Sequence, residues 1–259
     1  MAKTALIIST YNWPQALNLC LKSVSEQSIS PNEIIIADDG SGDSTKQIID
    51  CFSKSEKIPV KHIWQEDQGF RLARIRNKAI RNTDCDYLIF VDGDVILHRD
   101  FVKDHIKERK EGRFITGSRV LLSEDETKRR LVAEDWIFRG LNYPAKNKLN
   151  GIRSCFLSGV FSKNNSGIYN VRGCNMSFWK SDLQEVNGFD EQFTGWGRED
   201  SDITIRMLNC SKTKLRLKFK AIQYHLFHNK RERDAVNKND SILNETISQN
   251  RKKAVIGLI

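Results

Sequence analysis

No C-x-x-C pair occurs in the chain; its six cysteines stand singly at 20, 51, 85, 155, 174 and 210. That scatter excludes a disulfide framework and a structural zinc site, and it suits a reducing compartment. No 18-residue apolar run occurs, and Thr4 to Ser9 reads as a strand where a basic segment and apolar core would mark a leader. The expectation is a cytoplasmic chain with neither signal peptide nor membrane span. The absence of H-E-x-x-H removes zinc hydrolases. No zinc finger, helix-turn-helix or RNA-binding signature accompanies the lysines, which removes nucleic acid as a partner. There are no internal repeats and no low-complexity tract.

What remains is an ordinary globular composition with uneven charge. At 259 residues, 39% hydrophobic and 29% charged, the chain has room for one large α/β domain or two small ones. The net charge is +9, yet residues 1–100 carry 12 Lys+Arg against 14 Asp+Glu while the remainder carries 30 against 19. A basic second part suits peripheral contact with an anionic membrane or an acidic substrate.

The first hundred residues alternate two patterns. Ala5–Ser9, Glu33–Ala37, Val60–Trp64 and Tyr87–Val91 are short apolar runs of buried-strand length. Between them Leu17/Cys20/Leu21/Val24, Ile48/Ile49/Phe52 (with Ser44 as cap) and Leu72/Ile75/Ala79 repeat at helical spacing. Alternation of this kind predicts a mostly parallel sheet with helices on both faces, whose ligands bind beyond the carboxyl ends of the strands. Those ends carry Thr10-Tyr11-Asn12, Asp38-Asp39-Gly40-Ser41 and Asp92-Gly93-Asp94. Beyond residue 100 the pattern loosens. Helices are expected over 101–110, 128–138 and 200–209, short strands over 114–122 and 215–219, and an irregular loop over 140–170.

Four clusters carry chemistry. Two carboxylates one residue apart, Asp92 and Asp94, place hard oxygen ligands at a sheet rim, as Mg2+ or Mn2+ carrying a diphosphate requires. Asp-Gly-Asp is also ordinary turn chemistry, so its neighbours decide. Asp39 at a strand end can accept the imide N–H of uracil. In the run from Gly188 to Asp202, Trp196 between two glycines offers a platform for a sugar ring. Glu199 and Asp200 open a helix whose dipole favours an ionised carboxylate, as a general base needs. His225 and His228, three apart, can aim at one metal, and imidazole suits manganese better than magnesium.

Ile7-Ile8-Ser9-Thr10-Tyr11-Asn12, Ile36-Ala37-Asp38-Asp39-Gly40-Ser41, Gln68-Gly69, Arg76-Asn77 and Phe90-Val91-Asp92-Gly93-Asp94 resemble the inverting family 2 glycosyltransferases of the GT-A fold. Arg172-Gly173-Cys174-Asn175-Met176-Ser177, Gly188-Phe189-Asp190-Glu191 and Gly195-Trp196-Gly197-Arg198-Glu199-Asp200 are similar to the acceptor half of β-1,4-galactosyltransferases and chondroitin-type polymerases. The resemblance implies that Thr10, Tyr11 and Asn12 lie along the nucleotide, that Asp39 contacts uracil and that Arg76 stands near the diphosphate or donor sugar. Asp92-Gly93-Asp94 becomes the DxD motif, with Asp94 favoured as the direct metal ligand. Trp196 and Glu199 hold donor or acceptor sugar, and Asp200 is the base. His225 matches the metal ligand of the chondroitin-type enzymes and His228 that of the galactosyltransferases, and both remain candidates. The galactosyltransferases have glycine before Glu-Asp and an acid after it. Arg198 and Ser201 stand there here, which leaves the acceptor open.

Together these readings predict one GT-A domain over 1–259, with a nucleotide-binding half at 1–100, an acceptor-binding half at 101–230 and a basic, polar tail at 231–259. The expected activity is inverting transfer of a hexose or N-acetylhexosamine from a UDP-sugar to a hydroxyl of a glycan or glycolipid, with Mn2+ or Mg2+. Bacterial lipopolysaccharide or capsule synthesis is the expected setting, and the 140–170 loop is the expected lid. The rival reading is a nucleotide-sugar-binding regulatory protein, which would release no UDP with any acceptor.

Overall fold

The computed structural model describes residues 2–164, 167, 171–229 and 234–259. The first half follows the expected alternation: β1 Thr4–Thr10, α1 Pro14–Ser25, β2 Glu33–Asp38, α2 Asp43–Ser55, β3 Val60–Trp64, α3 Leu72–Arg81 and β4 Tyr87–Asp92. The second half is more broken, with β5 Val95–Leu97, α4 Phe101–Glu108, β6 Arg113–Thr116, β7 Val120–Leu122, α5 Glu124–Ala133 and β8 Ala145–Lys146. After them come α6 Cys155–Phe161, β9 Lys163–Asn164, β10 Asn175–Trp179, α7 Lys180–Glu185, α8 Glu199–Asn209, β11 Thr213–Arg216, β12 Gln223–His225 and α9 Val236–Ser248.

Eight strands form the main sheet in the order β3-β2-β1-β4-β10-β6-β11-β9. β3, β2, β1 and β4 run parallel, and β10 enters antiparallel between β4 and β6. Every residue of β1 and β2 is buried, as continuous apolar runs covered on both faces should be. Side chains alternate between two cores. Leu6, Ile8, Ile34 and Ile36 meet α1 and α2 on one face, while Ala5, Ile7, Ile35 and Phe90 meet α3 and α8 on the other. A smaller sheet, β5-β12-β7-β8, lies over a third core that holds Trp136, Phe138, Tyr143 and Tyr224.

Register positions the site. Thr10 pairs with Asp38 and Ser9 with Asp92, so the three polar strand ends stand level. In the small sheet His225 pairs with Val95, and the Leu226 N–H donates to the Asp94 carbonyl at 2.9 Å. This carries both histidines back to Asp94.

Four sequence expectations need correction. Gly42, not Ser44, is the N-cap of α2, because that helix already begins at Asp43. The helix expected over 128–138 runs Glu124–Ala133 instead. Ser123 starts it by accepting from the Glu126 N–H, and Glu134 ends it in the left-handed region at φ 48°, which turns Trp136 and Phe138 toward the third core. The stretch expected as an irregular loop holds β8, a 3₁₀ turn at Lys148–Gly151, α6 and β9, while 165–166 and 168–170 lie outside the described residues. The expected strand over 215–219 ends at Arg216, with Phe219 at φ 57°. The tail is part of the fold: α9 packs on α8, and the Val255 N–H donates to Asp190 and the Leu258 N–H to the Asn187 carbonyl.

Candidate active site

Beyond the carboxyl ends of β1, β2 and β4 opens a cavity of about 770 Å3, within the range of small-molecule sites. Thr10, Tyr11, Asp39, Arg76, Asp92, Gly93 and Asp94 line one side. His225 and His228 stand beside Asp94, and Trp196, Glu199 and Asp200 line the other side. The strand-end and helix-start clusters, more than a hundred residues apart in sequence, therefore face one space.

At the ends of β1 and β2 the polar groups are already fixed. Asp39 is buried, accepting from Gln65 at 2.5 Å and from the Arg71 N–H at 2.8 Å. The Tyr11 hydroxyl donates to Asp67 at 2.8 Å. Asn12 does not line the cavity. At φ 46° it accepts from the Gly42 N–H and donates its own N–H to Ser41, tying the β1 and β2 ends together. A Cβ on Gly93 would come within 3.1 Å of Thr10 Oγ1, so the residue between the two aspartates has little room to grow.

Arg76 lies deeper than the sequence implies. It is fully buried and donates to Asp92 Oδ1 at 3.0 Å and to the Gly173 carbonyl at 3.3 Å. Its Nη1 stands 3.6 Å from Glu199 and its guanidinium lies over the Phe189 ring. One cation thus links the first aspartate of the Asp-Gly-Asp run to the first acid of α8.

Asp94, His225 and His228 bring one ligand atom each within 4.8 Å of one another; among the described residues no other such group occurs. Nε2 of His225 is 3.6 Å and Nε2 of His228 is 3.4 Å from the Asp94 carboxylate. Each histidine's Nδ1 faces a backbone carbonyl, Leu226 at 2.7 Å and Asn229 at 2.8 Å, which can only accept. A proton therefore sits on Nδ1, so that in the neutral ring the lone pair is on Nε2, which faces Asp94. Asp94 Oδ1 is buried without a hydrogen-bond partner. An orphaned carboxylate oxygen and two preset imidazoles fit a divalent cation, and the nitrogen share favours manganese. Asp92 is not in this group; its carboxylate is turned to Arg76.

Glu199 and Asp200 occupy the first turn of α8, where free N–H groups and the dipole favour negative charge. Asp200 Oδ2 accepts from the Gly173 N–H at 3.2 Å. Burial pushes the Glu199 carboxyl up to about 7, helped by the charge of Asp200 and opposed by Arg76. Burial also raises Asp200, opposed by Arg76 and the backbone N–H groups of Ser201 and Gly173. Asp92 is raised by burial too, against Arg76. Adjacent acids whose surroundings differ can divide the roles of proton holder and proton acceptor.

The turn into α8 is held from a distance. Gly195, Gly197 and Arg198 have φ of 71°, 108° and 79°, and Trp196 is 45% exposed at the rim. Buried Asn239 of α9 donates to the carbonyls of Thr194 and Gly197 at 3.2 and 3.0 Å, and Arg198 pairs with Asp240. Sequence reasoning gave the partly helical tail no role at the site, and it assigned none to Arg119 and Cys174, which line the cavity. Asn239 carries no local signal, since its partners lie more than 40 residues away. Of the described residues between 140 and 170, none lines the cavity; 165–166 and 168–170 of the expected lid lie outside the described residues.

A mixed sheet of this order, with polar strand ends facing a carboxylate-opened helix, is the GT-A glycosyltransferase architecture. The sequence pattern of "Glycosyl transferase family 2" matches residues 5–166, and the chain belongs to that family. A second pattern, "N-terminal domain of galactosyltransferase", matches 156–229. The chain is 26% identical over 223 residues to the chondroitin synthase of Pasteurella multocida, covering 78% of this chain but only 22% of that enzyme. Two solved structures share the fold. TarS 1–349 of S. aureus in complex with UDP has a TM-score of 0.63 at 16% identity, covering 99% of this chain and 67% of that one. The mannosyltransferase PcManGT of Pyrobaculum calidifontis, in complex with GDP-Man and Mn2+, has 0.64 at 15% identity, covering 98% and 66%.

Proposed function

We propose that the protein is a metal-dependent, inverting transferase that moves a hexose or N-acetylhexosamine (Gal, GalNAc, GlcNAc or Glc) from a UDP-sugar to a hydroxyl of a glycan or glycolipid. The observation that carries this is the joint opening of the Asp94/His225/His228 group and the Glu199–Asp200 pair onto one cavity. Residues 1–100 would form the nucleotide half and 101–230 the acceptor half, with α9 of the tail bracing the second. The UDP and Mn2+ of the two structural relatives agree with this reading as analogy only.

Thr10, Tyr11 and Asp39 would bind the nucleoside, Asp39 already fixed by Gln65 and Arg71. Asp94, His225 and His228 would hold Mn2+ or Mg2+, which supplies positive charge to the departing diphosphate. Arg76 keeps Asp92 oriented at the diphosphate side. Trp196 offers an apolar face to a sugar ring, and Glu199 a hydrogen bond to a sugar hydroxyl. Asp200, raised by burial against the opposing pull of Arg76 and two backbone N–H groups, takes the acceptor proton as the hydroxyl attacks opposite the leaving UDP.

The setting we propose is bacterial lipopolysaccharide or capsule assembly on the cytoplasmic side, with peripheral contact to anionic lipid. Among the described residues no helix is long and apolar enough to cross a membrane. The basic second half and the exposed Phe156, Val160 and Phe161 of α6 support surface contact instead. The transferase reading is tested by screening UDP-sugars against neutral and acidic glycans for UDP release with Mn2+. Release that rises only with the right donor and acceptor is expected. A protein that binds UDP-sugar yet releases no UDP with any acceptor would be the regulatory rival.

A further inference from the structure

Beside the catalytic cavity lies a second hollow of about 660 Å3, lined by five cationic side chains and, among the described residues, by no Asp or Glu. Three of them, Lys214, Arg216 and Lys218, fall at i, i+2 and i+4 along β11 and its extension, while Leu215 and Leu217 between them point into the core. The other two, Arg119 and Arg172, line this groove and the catalytic cavity alike, and Arg172 directly precedes the Gly173 N–H that binds Asp200. The two spaces therefore meet at the side where an acceptor hydroxyl must approach the base.

Charge along this row is neutralised at its ends and not in its middle. Lys212 pairs with Asp182 and Glu185, and Lys220 pairs with Glu108. Among the described residues, Lys214, Arg216, Lys218, Arg119 and Arg172 make no ion pair with a carboxylate. Lys214 is only 4% exposed, with its ammonium donating to the Gly167 carbonyl. Burial and the neighbouring Arg216 push its pKa down. Burying a cation beside other cations costs free energy that an arriving anion offsets. Among the described residues that line the groove none is aromatic, and Thr116, Ser118, Asn147 and Asn150 add hydrogen-bonding groups beside the cations.

We infer that the acceptor carries an oxyanion, either a carboxylate or a phosphodiester, one residue or so from the accepting hydroxyl, and that Lys214, Arg216 and Lys218 hold it while Arg119 and Arg172 bridge to the catalytic cavity. This rests on the transferase reading and names the acceptor class for it.

The test is calorimetric titration of the whole chain with three probes: a glucuronate-containing tetrasaccharide, its carboxyl-reduced neutral form, and that neutral form bearing one phosphodiester. An acidic probe binding about tenfold tighter than the neutral one, with the advantage shrinking as salt rises, is the expected result. Whether carboxylate or phosphodiester binds better identifies the oxyanion. The double variant Arg216→Gln/Lys218→Gln should lose most of the preference, while Lys54→Gln/Lys57→Gln, an equal charge change at the end of α2 and just beyond it, should keep it. Equal affinity for acidic and neutral probes, or equal losses in the two double variants, would overturn the groove assignment. Tighter binding of a short RNA than of either acidic glycan would overturn it as well. UDP with Mn2+ is titrated in parallel. If UDP fails to bind, the transferase reading falls, and the acceptor assignment with it, however the groove titrates.

Discussion

Replacing Glu199 with glutamine keeps the side chain's size and removes a charge that the fold holds at a cost. The carboxyl is raised from 4.5 to about 7, first by burial and then by Asp200. A carboxyl with a raised folded-state pKa binds its proton more tightly in the folded protein. Its contribution to stability is therefore fully present below about 4.5 and is lost as pH rises through 7. The full loss is roughly 2.5 pH units, or about 3 kcal/mol, reached above pH 8. Over the accessible interval from pH 5.5 to 8.5 the change is about 2 kcal/mol, from the same two-state titration. Glutamine does not titrate, so Glu199→Gln should gain on the wild type by that amount between the two pH values. In a domain of this size, that is a relative Tm shift of roughly 4–8 °C. Urea and thermal unfolding of both proteins at pH 5.5 and 8.5, with EDTA present, give the measurement. The more stable variant should transfer sugar more slowly, because the strain belongs to the site. An offset between the two proteins that is the same at both pH values, or a wild type that gains as pH rises, would refute the burial argument for Glu199.

Three further outcomes are expected. Asp200→Asn should fold with near-normal Tm and lose about 10²–10⁴ in kcat for transfer, with UDP affinity little changed; steady-state kinetics alongside UDP titration checks this, and near-normal turnover would remove Asp200 as base. For the metal site, UDP at 100 times its dissociation constant should stabilise the wild type by about 2.7 kcal/mol in Mn2+ and much less in EDTA. Asp94→Asn should show the small effect in both buffers, and equal protection with and without Mn2+ in the wild type would sink the assignment. Asn239→Ala removes the donor to two carbonyls of the Trp196 turn and should cost about 1–3 kcal/mol. Because Asn239 never reaches substrate, KM should rise more than kcat falls, and an unchanged Tm would show that α9 does not brace the turn.

The parallel half of the sheet was legible because its strands are continuous apolar runs whose ends carry the polar clusters; nothing outside each segment is needed to read it. The second half was harder for a physical reason. Its strands are two to five residues long, too short for periodicity to register, and their neighbours are set by tertiary contacts such as β10 inserting antiparallel beside β4. The site divides the same way. Residue type and position brought Thr10, Asp39, Asp94, His225 and Asp200 to the cavity, but not their environments. Arg76 shows the difference. Sequence places it near the diphosphate or donor sugar and does not show that it is buried. Buried between Asp92 and Glu199, it lowers the charge cost of both acids at once. Asp92 and Glu199 therefore compete for one guanidinium, so charge lost at either should leave Arg76 to the other. The strand-end side and the α8 side of the cavity are joined through this one buried guanidinium.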